Sequence, residues 1–352
     1  MTPLATLLTR RILETGPMTL ADYMTECLFH PQHGYYATRE PFGAQGDFIT
    51  APEISQMFGE LLGLCLAQAW LDQGAPARFT LAELGPGRGT LMADVLRATR
   101  GVPGFHAAMQ VTLIEASPRL RSVQRDTLSG YQFSWSDEVA TLPEAPLFLL
   151  ANEFFDALPI RQFTRAGQNW AETMVGVADG ALALGRATPL PLGLLAHRLA
   201  DTRDGDVVEV CPAAPAIMQR IGQLIATHGG AALIVDYGGW HGTGDTFQAM
   251  RHHAHTSPLS TPGLADLTAH VDFAALAAAA HPALASYTTQ GALLAALGIH
   301  ARADALATRL QGQARDDHHK ALHRLTAPDQ MGQLFKVLAL SPPQHPPLPG
   351  IT

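Results

Sequence analysis

Short, mainly apolar stretches alternate with segments of helical spacing through the middle of the chain. The apolar stretches that predict strands are 79–84, 111–115, 131–135, 147–151 and 231–236. Strands that alternate with helices form a parallel sheet that is covered on both faces. The pattern therefore predicts an α/β fold built on a Rossmann-like sheet.

The segments that flank this alternation carry other patterns. Residues 4–14 and 20–29 predict two short helices, 30–51 a loop, and 53–71 a long apolar helix. After the fourth strand, three short alternating stretches predict antiparallel strands, and a helix follows over 213–227.

The C-terminal third is less regular. Residues 239–262 are rich in Gly, His, Ser and Pro and predict a long mobile loop, 271–284 predict an Ala-rich helix, and 333–340 a last strand at an antiparallel edge. From these patterns we expect four parts: an N-terminal helical segment over 1–75, a core made of 76–158 with 229–341, an inserted substrate cap over 159–228, and an irregular tail over 342–352.

Composition excludes several classes of protein. Of the 352 residues 47% are apolar and 15% charged, which is typical of a globular protein and not of a disordered one. A net charge of -8 argues against a nucleic-acid partner. Three scattered cysteines form no disulfide framework, and no stretch has the length of a membrane span or signal peptide. With almost no leader before the first helix, we expect a bacterial cytoplasmic protein.

The most informative segment is a glycine-rich turn after the first predicted strand, where Gly85, Gly87 and Gly89 open a helix. Glycine permits positive φ and close approach of a ligand, and such turns lie where open α/β sheets bind ligands. A dinucleotide fingerprint would place its third glycine at Thr90, so the spacing disfavours NAD. A tight turn without a ligand is the alternative.

Two carboxylates distinguish between possible ligands. Glu83, two residues before the first glycine, is unfavourable beside a pyrophosphate but suits a cationic sulfonium amino acid. Glu115, at the end of the second strand, can accept hydrogen bonds from both ribose hydroxyls of an adenosine. Together they match the two halves of S-adenosylmethionine, which we predict as the cofactor, with an NAD-linked dehydrogenase as the alternative.

Polar residues follow the fourth strand, whose end faces the same crevice. Methyl transfer needs a nucleophile held in line at about 3 Å more than it needs acid catalysis. Carboxylates can orient a guanidinium, so Glu153 and Asp156, together with Asn152, are the candidate catalytic residues. The alternative is that Asn152 and Asp156 cap a turn before Pro159. Asp236, after the fifth strand, is a weaker candidate for the rim of the same pocket.

The segment before the long helix and the histidines are two further candidates for sites. Thr50 and Glu53 have the spacing of a capping box before the long helix, whereas Asp47 and Phe48 are left over in a glycine-flanked loop that could fold across a bound cofactor. We therefore count Asp47, Phe48 and Thr50 among the candidate cofactor contacts. None of the 16 histidines has the spacing of a zinc site, so we predict no metal.

Several long motifs in the right order resemble one family, the MidA-like methyltransferases, which include the mitochondrial complex I assembly methyltransferase. The resemblance covers nearly the whole chain. It is carried by His30-Pro31, Gly34-Tyr35-Tyr36, Gly46-Asp-Phe-Ile-Thr-Ala-Pro-Glu53, Glu83-Leu-Gly-Pro-Gly-Arg-Gly89, Asn152-Glu-Phe-Phe-Asp-Ala-Leu-Pro159, Val235-Asp-Tyr-Gly238, Asp266-Leu-Thr-Ala-His-Val-Asp-Phe273 and Met331-Gly-Gln-Leu-Phe-Lys-Val-Leu338.

The resemblance implies a seven-stranded S-adenosylmethionine methyltransferase sheet with an N-terminal helical segment and an inserted cap. It also implies a protein substrate, which in the mitochondrial relatives is an arginine of the quinone-site subunit of complex I, symmetrically dimethylated during assembly. We therefore expect a protein-arginine N-methyltransferase with Glu153 on the guanidinium. A non-catalytic assembly chaperone and a small-molecule methyltransferase are the other two hypotheses.

Overall fold

The computed structural model describes residues 2–38 and 49–351. The helices are α1 Pro3–Thr15, α2 Leu20–Phe29, α3 Tyr35–Thr38, α4 Ala51–Ile54, α5 Gln56–Asp72, α6 Thr90–Ala98, α7 Phe105–Ala108, α8 Pro118–Thr127, α9 Ala214–His228, α10 Phe273–Ala279, α11 Gln290–Ala296, α12 Ile299–Ala307, α13 Gly312–Thr326 and α14 Met331–Leu334. Short 3₁₀ turns lie at Thr99–Gly101, Val139–Thr141 and Gly193–Leu199.

The strands are β1 Met18–Thr19, β2 Phe79–Leu84, β3 Met109–Ile114, β4 Phe133–Ser136, β5 Leu147–Asn152, β6 Arg161–Ala166, β7 Asn169–Ala178, β8 Ala181–Arg186, β9 Val207–Val210, β10 Gly230–Gly239, β11 Gln248–Arg251, β12 Ala254–Thr256, β13 Asp266–Thr268, β14 Val271–Asp272, β15 Leu284–Thr289 and β16 Phe335–Ser341.

The chain forms two compact units. The first contains residues 2–38, Asp156–Ala214 and Gly239–Asp272, and the second contains Ile49–Phe155, Pro215–Gly238 and residues 273–351. This division differs from the one expected from the sequence, because residues 49–75 and most of α9 group with the large sheet.

A large sheet is the centre of the second unit. Its strand path is β15-β16-β10-β5-β2-β3-β4, in which β10, β5, β2, β3 and β4 run parallel while β16 and β15 are antiparallel. The predicted α/β fold with a parallel core is confirmed. The resemblance implies seven strands, and among the described residues eight belong to this sheet, seven of them in this path.

The pairing register brings the carboxyl ends of the parallel strands to one edge. Leu84 of β2 lies opposite Ile114 of β3 and Ala151 of β5, and Asn152 lies opposite Val235 of β10. All six residues of β2 are buried, as expected for a strand with neighbours on both sides and helices on both faces. The residues that follow these strand ends therefore emerge together at one edge of the sheet.

The C-terminal part of the sheet differs from the prediction. The Ala-rich segment, predicted as a helix over 271–284, is helical only in α10, and the chain then forms the edge strand β15, which the sequence did not predict. A proline follows at position 282, and proline cannot continue a helix. As a result β16 pairs on both sides and is not the edge strand that the sequence predicted.

The first unit contains two antiparallel sheets. One has the order β1-β7-β6-β9 with β8 also paired to β7, and it includes the three antiparallel strands predicted after β5. In the other, β12-β11-β13, the strands β11 and β12 lie where the sequence predicted a loop over 239–262, so that prediction was wrong. His252 and His253 both have positive φ, the geometry of a two-residue turn that matches the twist of a hairpin.

Candidate functional site

The glycine turn between β2 and α6 has the backbone that the sequence predicts. Gly85, Gly87 and Gly89 have φ angles of 57°, 51° and 81°. A Cβ atom on Gly85 would lie 2.9 Å from Cδ2 of Phe154, closer than real Cβ atoms approach. The glycine turn is therefore in close contact with the turn that follows β5, and a side chain at position 85 has no room.

Glu83 is a buried carboxyl just before this turn, with 3% of its surface exposed. Its pKa is raised to about 8, chiefly by burial and in smaller part by the charge of nearby Glu115, although a hydrogen bond from the backbone of Met92 opposes the rise. Its Oε2 atom has no hydrogen-bond partner among the described residues. A buried acceptor without a partner suits a ligand that brings a cationic N–H donor.

Glu115 follows β3 and is held from several sides. Its Oε1 accepts from the backbone N–H of Ser117 at 2.8 Å, and its Oε2 accepts from Nε2 of Gln124 at 3.2 Å. Burial raises its pKa, and the hydrogen bonds from Ser117 and Gln124 and the charge of Arg121 oppose this. The carboxylate is thus fixed in place at the same sheet edge as the glycine turn.

The turn after β5 carries an unusual backbone conformation. Glu153 has a φ of 50°, the left-handed region that residues with a side chain rarely adopt, and its N–H donates to the carbonyl of Val235 at 2.9 Å. Its Oε1 accepts from Nδ2 of Asn152 at 3.0 Å and from the N–H of Ala51 at 3.3 Å. Such strain costs on the order of 1–3 kcal/mol and is common at functional sites.

Asp236 holds this turn in place. The side chain is fully buried, its Oδ2 accepts from the N–H of Phe155 at 3.0 Å, and its Oδ1 accepts from the N–H of Tyr237 at 2.9 Å. A carboxylate at the end of β10 therefore anchors the backbone two residues after Glu153. The sequence had suggested Asp236 only as part of the rim.

The structure brings most of the predicted site residues into one unit, with exceptions. Asn152 and Glu153 lie in the second unit with the glycine turn, Glu83 and Glu115, whereas Asp156 begins a segment of the first unit, where its backbone carbonyl accepts from the N–H of Ala269 at 3.0 Å. Asp47 and Phe48 lie outside the described residues.

The predicted capping box is wrong. Thr50 precedes α4 but makes no side-chain cap hydrogen bond, and the long helix α5 is capped by Ser55. Glu53 instead accepts from Oγ1 of Thr90 at 2.6 Å and lies 3.6 Å from the guanidinium of Arg88. Glu53 therefore contacts the glycine turn, a role the sequence reasoning missed because capping accounted for the residue.

Gln124 was also missed. A glutamine within a helix gives no sequence signal, yet its fully buried amide contacts both the glycine turn and Glu115. Across residues 2–38 and 49–351, no group of three His, Cys, Asp or Glu side chains is placed to hold a metal ion. In the same ranges no helix has both the length and the apolar character needed to cross a membrane.

Comparison with known proteins defines the class. Residues 61–291 match the family described as "Putative S-adenosyl-L-methionine-dependent methyltransferase". A Burkholderia thailandensis protein whose crystal structure holds S-adenosyl-homocysteine superposes with a TM-score of 0.83, at 29% identity, over 99% of this chain and 94% of that one. The chain therefore belongs to the family of S-adenosyl-L-methionine-dependent methyltransferases, and the predicted enzyme class and cofactor are confirmed.

The names of the curated relatives describe a more specific activity. The chain is 37% identical to "Protein arginine methyltransferase NDUFAF7, mitochondrial" of Homo sapiens and 36% identical to the Bos taurus protein of that name, in each case over 98% of this chain and 84% of the relative. The predicted resemblance is thereby confirmed. The expected bacterial cytoplasmic location is contradicted, because these relatives are mitochondrial proteins.

Proposed function

We propose that this methyltransferase modifies arginine side chains of a protein. The observation that carries the proposal is the Glu153 carboxylate, held by two donors in a strained turn beside the glycine turn. A fixed carboxylate can accept two N–H bonds from a guanidinium. The names of the curated relatives support arginine as the acceptor.

The residues of the second unit fit the cofactor. Glu83 would accept from the ammonium of its amino acid part, since its buried Oε2 lacks a partner among the described residues. Glu115 would accept from the ribose hydroxyls, and Gly85, Gly87 and Gly89 would let the backbone approach the ligand. When bound, S-adenosylmethionine supplies a methyl group on a positively charged sulfur.

Glu153 has two tasks in this proposal. It orients the guanidinium by accepting its N–H bonds, which places one nitrogen for in-line attack. The guanidinium of an arginine is protonated at ordinary pH, so it must lose a proton as the nitrogen–carbon bond forms and the sulfur–methyl bond breaks, and the Glu153 carboxylate would take up or share that proton. Asn152 shapes the site through its bond to Glu153.

The identity of the substrate protein is proposed from the family resemblance alone. We propose the quinone-site subunit of respiratory complex I, modified during assembly of the complex. Asp156, which belongs to the other unit, and Thr50, which makes no cap bond, enter no step of the mechanism.

Glu153→Gln tests the proposed role. The amide cannot accept a proton, so turnover should fall by on the order of 10²–10⁴-fold while affinity for S-adenosyl-homocysteine stays within a few fold. Glu14→Gln, an exposed carboxylate on α1, is the matched control and should retain full activity. If the Glu153 variant loses S-adenosyl-homocysteine binding instead, the residue belongs to the cofactor site and the proposed role is wrong.

A further inference from the structure

We propose that Gln124 is a positioning residue for cofactor binding, whose side-chain amide holds the Glu115 carboxylate and the glycine turn in one arrangement. The inference rests on the cofactor site proposed above, and it adds a residue to that site that the ligand itself need not touch.

The geometry of the amide carries the inference. Gln124 lies on α8 with no exposed surface. Its Nε2 donates to the carbonyl of Gly87 at 2.8 Å and to Oε2 of Glu115 at 3.2 Å, and its Oε1 accepts from Nε1 of Trp135 at 2.7 Å. One amide therefore joins the glycine turn, the end of β3 and β4.

The chemistry of the partners determines which way the amide faces. The indole nitrogen of Trp135 can only donate, so the amide oxygen must lie against it. The Gly87 carbonyl and an ionised Glu115 can only accept, so both must face the amide nitrogen. Glutamine supplies a donor and an acceptor at this position, and neither leucine nor glutamate can satisfy all three partners.

The close packing of α8 against the turn reinforces this. A Cβ atom added at Gly89 would lie 3.6 Å from Cγ of Gln124, so a side chain at position 89 would just contact the stem of Gln124. A substitution at Gln124 therefore directly affects the positions of Gly87, Gly89 and Glu115, all of which belong to the proposed cofactor site.

Gln124→Glu is the informative variant. An introduced carboxylate still accepts from Trp135 but repels Glu115 and the Gly87 carbonyl, whereas the protonated acid can donate to one of them. At about pH 8 we expect affinity for S-adenosyl-homocysteine to fall on the order of tenfold to a hundredfold relative to the wild type. At about pH 5.5 the difference should shrink to a few fold, because burial and the neighbouring Glu115 raise the pKa of the introduced acid above its ordinary value and it gains a proton there.

Calorimetry with S-adenosyl-homocysteine and with adenosine provides the measurement. Since Gln124 acts through Glu115 on the ribose, the variant should weaken both ligands by a similar factor. Gln110→Glu, an exposed position on β3, is the control and should match the wild type at both pH values. A loss of affinity that is equal at both pH values would mean that Gln124 is only a packing residue and would overturn the inference.

Glu115→Gln separates this inference from the proposed site. If Glu115→Gln weakens adenosine but Gln124→Glu does not, Gln124 has no positioning role and the cofactor site stands. If Glu115→Gln leaves adenosine binding unchanged, Glu115 is not the ribose ligand, and both the site assignment and the inference built on it are wrong.

Discussion

Replacing Glu83 by glutamine should stabilise the protein at alkaline pH. The carboxyl has a pKa of about 8 in the folded protein and an ordinary value of 4.5, chiefly because burial disfavours the charge. Between these values the unfolded chain has lost the proton while the folded chain keeps it. Wild-type stability therefore falls as pH rises through this window, and Glu83→Gln, which has no proton to lose, escapes that loss.

The size of the effect follows from the two pKa values. Each pH unit in which only the folded state holds the proton changes the free energy of unfolding by about 1.4 kcal/mol. The advantage of Glu83→Gln should be near zero at about pH 4.5 and grow to on the order of 5 kcal/mol above about pH 8. That is a large part of the total stability of an ordinary domain.

Urea unfolding at several pH values between about pH 5 and pH 9 measures this difference directly. The same variant should bind S-adenosyl-homocysteine far more weakly, since it removes the proposed partner of the ligand's ammonium. For the wild type, affinity should rise as pH rises through about 8, because binding selects the ionised carboxylate. A constant stability difference between the two proteins across this range would refute the account of Glu83.

Three further tests by substitution have definite expected outcomes. Glu60 is buried, but hydrogen bonds from two arginines outweigh the effect of burial and lower its pKa, so Glu60→Gln should lose stability in urea unfolding above about pH 5 and approach the wild type at lower pH. Gly85→Ala should lower stability by about 1–3 kcal/mol and weaken S-adenosyl-homocysteine in calorimetry, whereas Gly101→Ala, where a Cβ meets nothing, should change neither. Glu153→Gly should be more stable than Glu153→Ala by about 1 kcal/mol in thermal unfolding, because only glycine adopts its φ of 50° freely, while both variants lose methyl transfer. Equal stability of the last pair would contradict the strain assigned to Glu153.

The parallel part of the sheet was predictable from the sequence because its strands are buried on both faces. Phe79–Leu84 is mainly apolar and buried along its whole length, so it lacks the polar face of a surface helix. The three glycines after it mark a turn whose backbone adopts positive φ, which glycine permits. The positions of the acidic residues at the strand ends were predictable for a related reason. A residue at the end of a parallel strand, or directly after it, lies at the carboxyl edge of the sheet. The sequence alone therefore predicts that Glu83, Glu115 and Glu153 lie at this edge.

The parts that were missed depend on contacts between residues far apart in the chain. Leu284–Thr289 becomes a strand because β16 lies beside it, and its short mixed pattern does not predict this. Gln124 matters because α8 lies against the glycine turn, 37 residues earlier at Gly87. Glu53 has the spacing of a cap residue, but Thr90 and Arg88 are placed to engage it instead.

The most direct test of the proposed function is mass spectrometry after incubation with S-adenosylmethionine that carries a heavy methyl group. The acceptor is the complex I quinone-site subunit from the same organism, and Glu153→Gln serves as the inactive control. We predict a mass gain of one or two heavy methyl groups on an arginine peptide with the wild type and none with the variant. Heavy methyl groups on lysine, on a small molecule or on no acceptor, with S-adenosyl-homocysteine still bound, would contradict arginine methylation of this subunit.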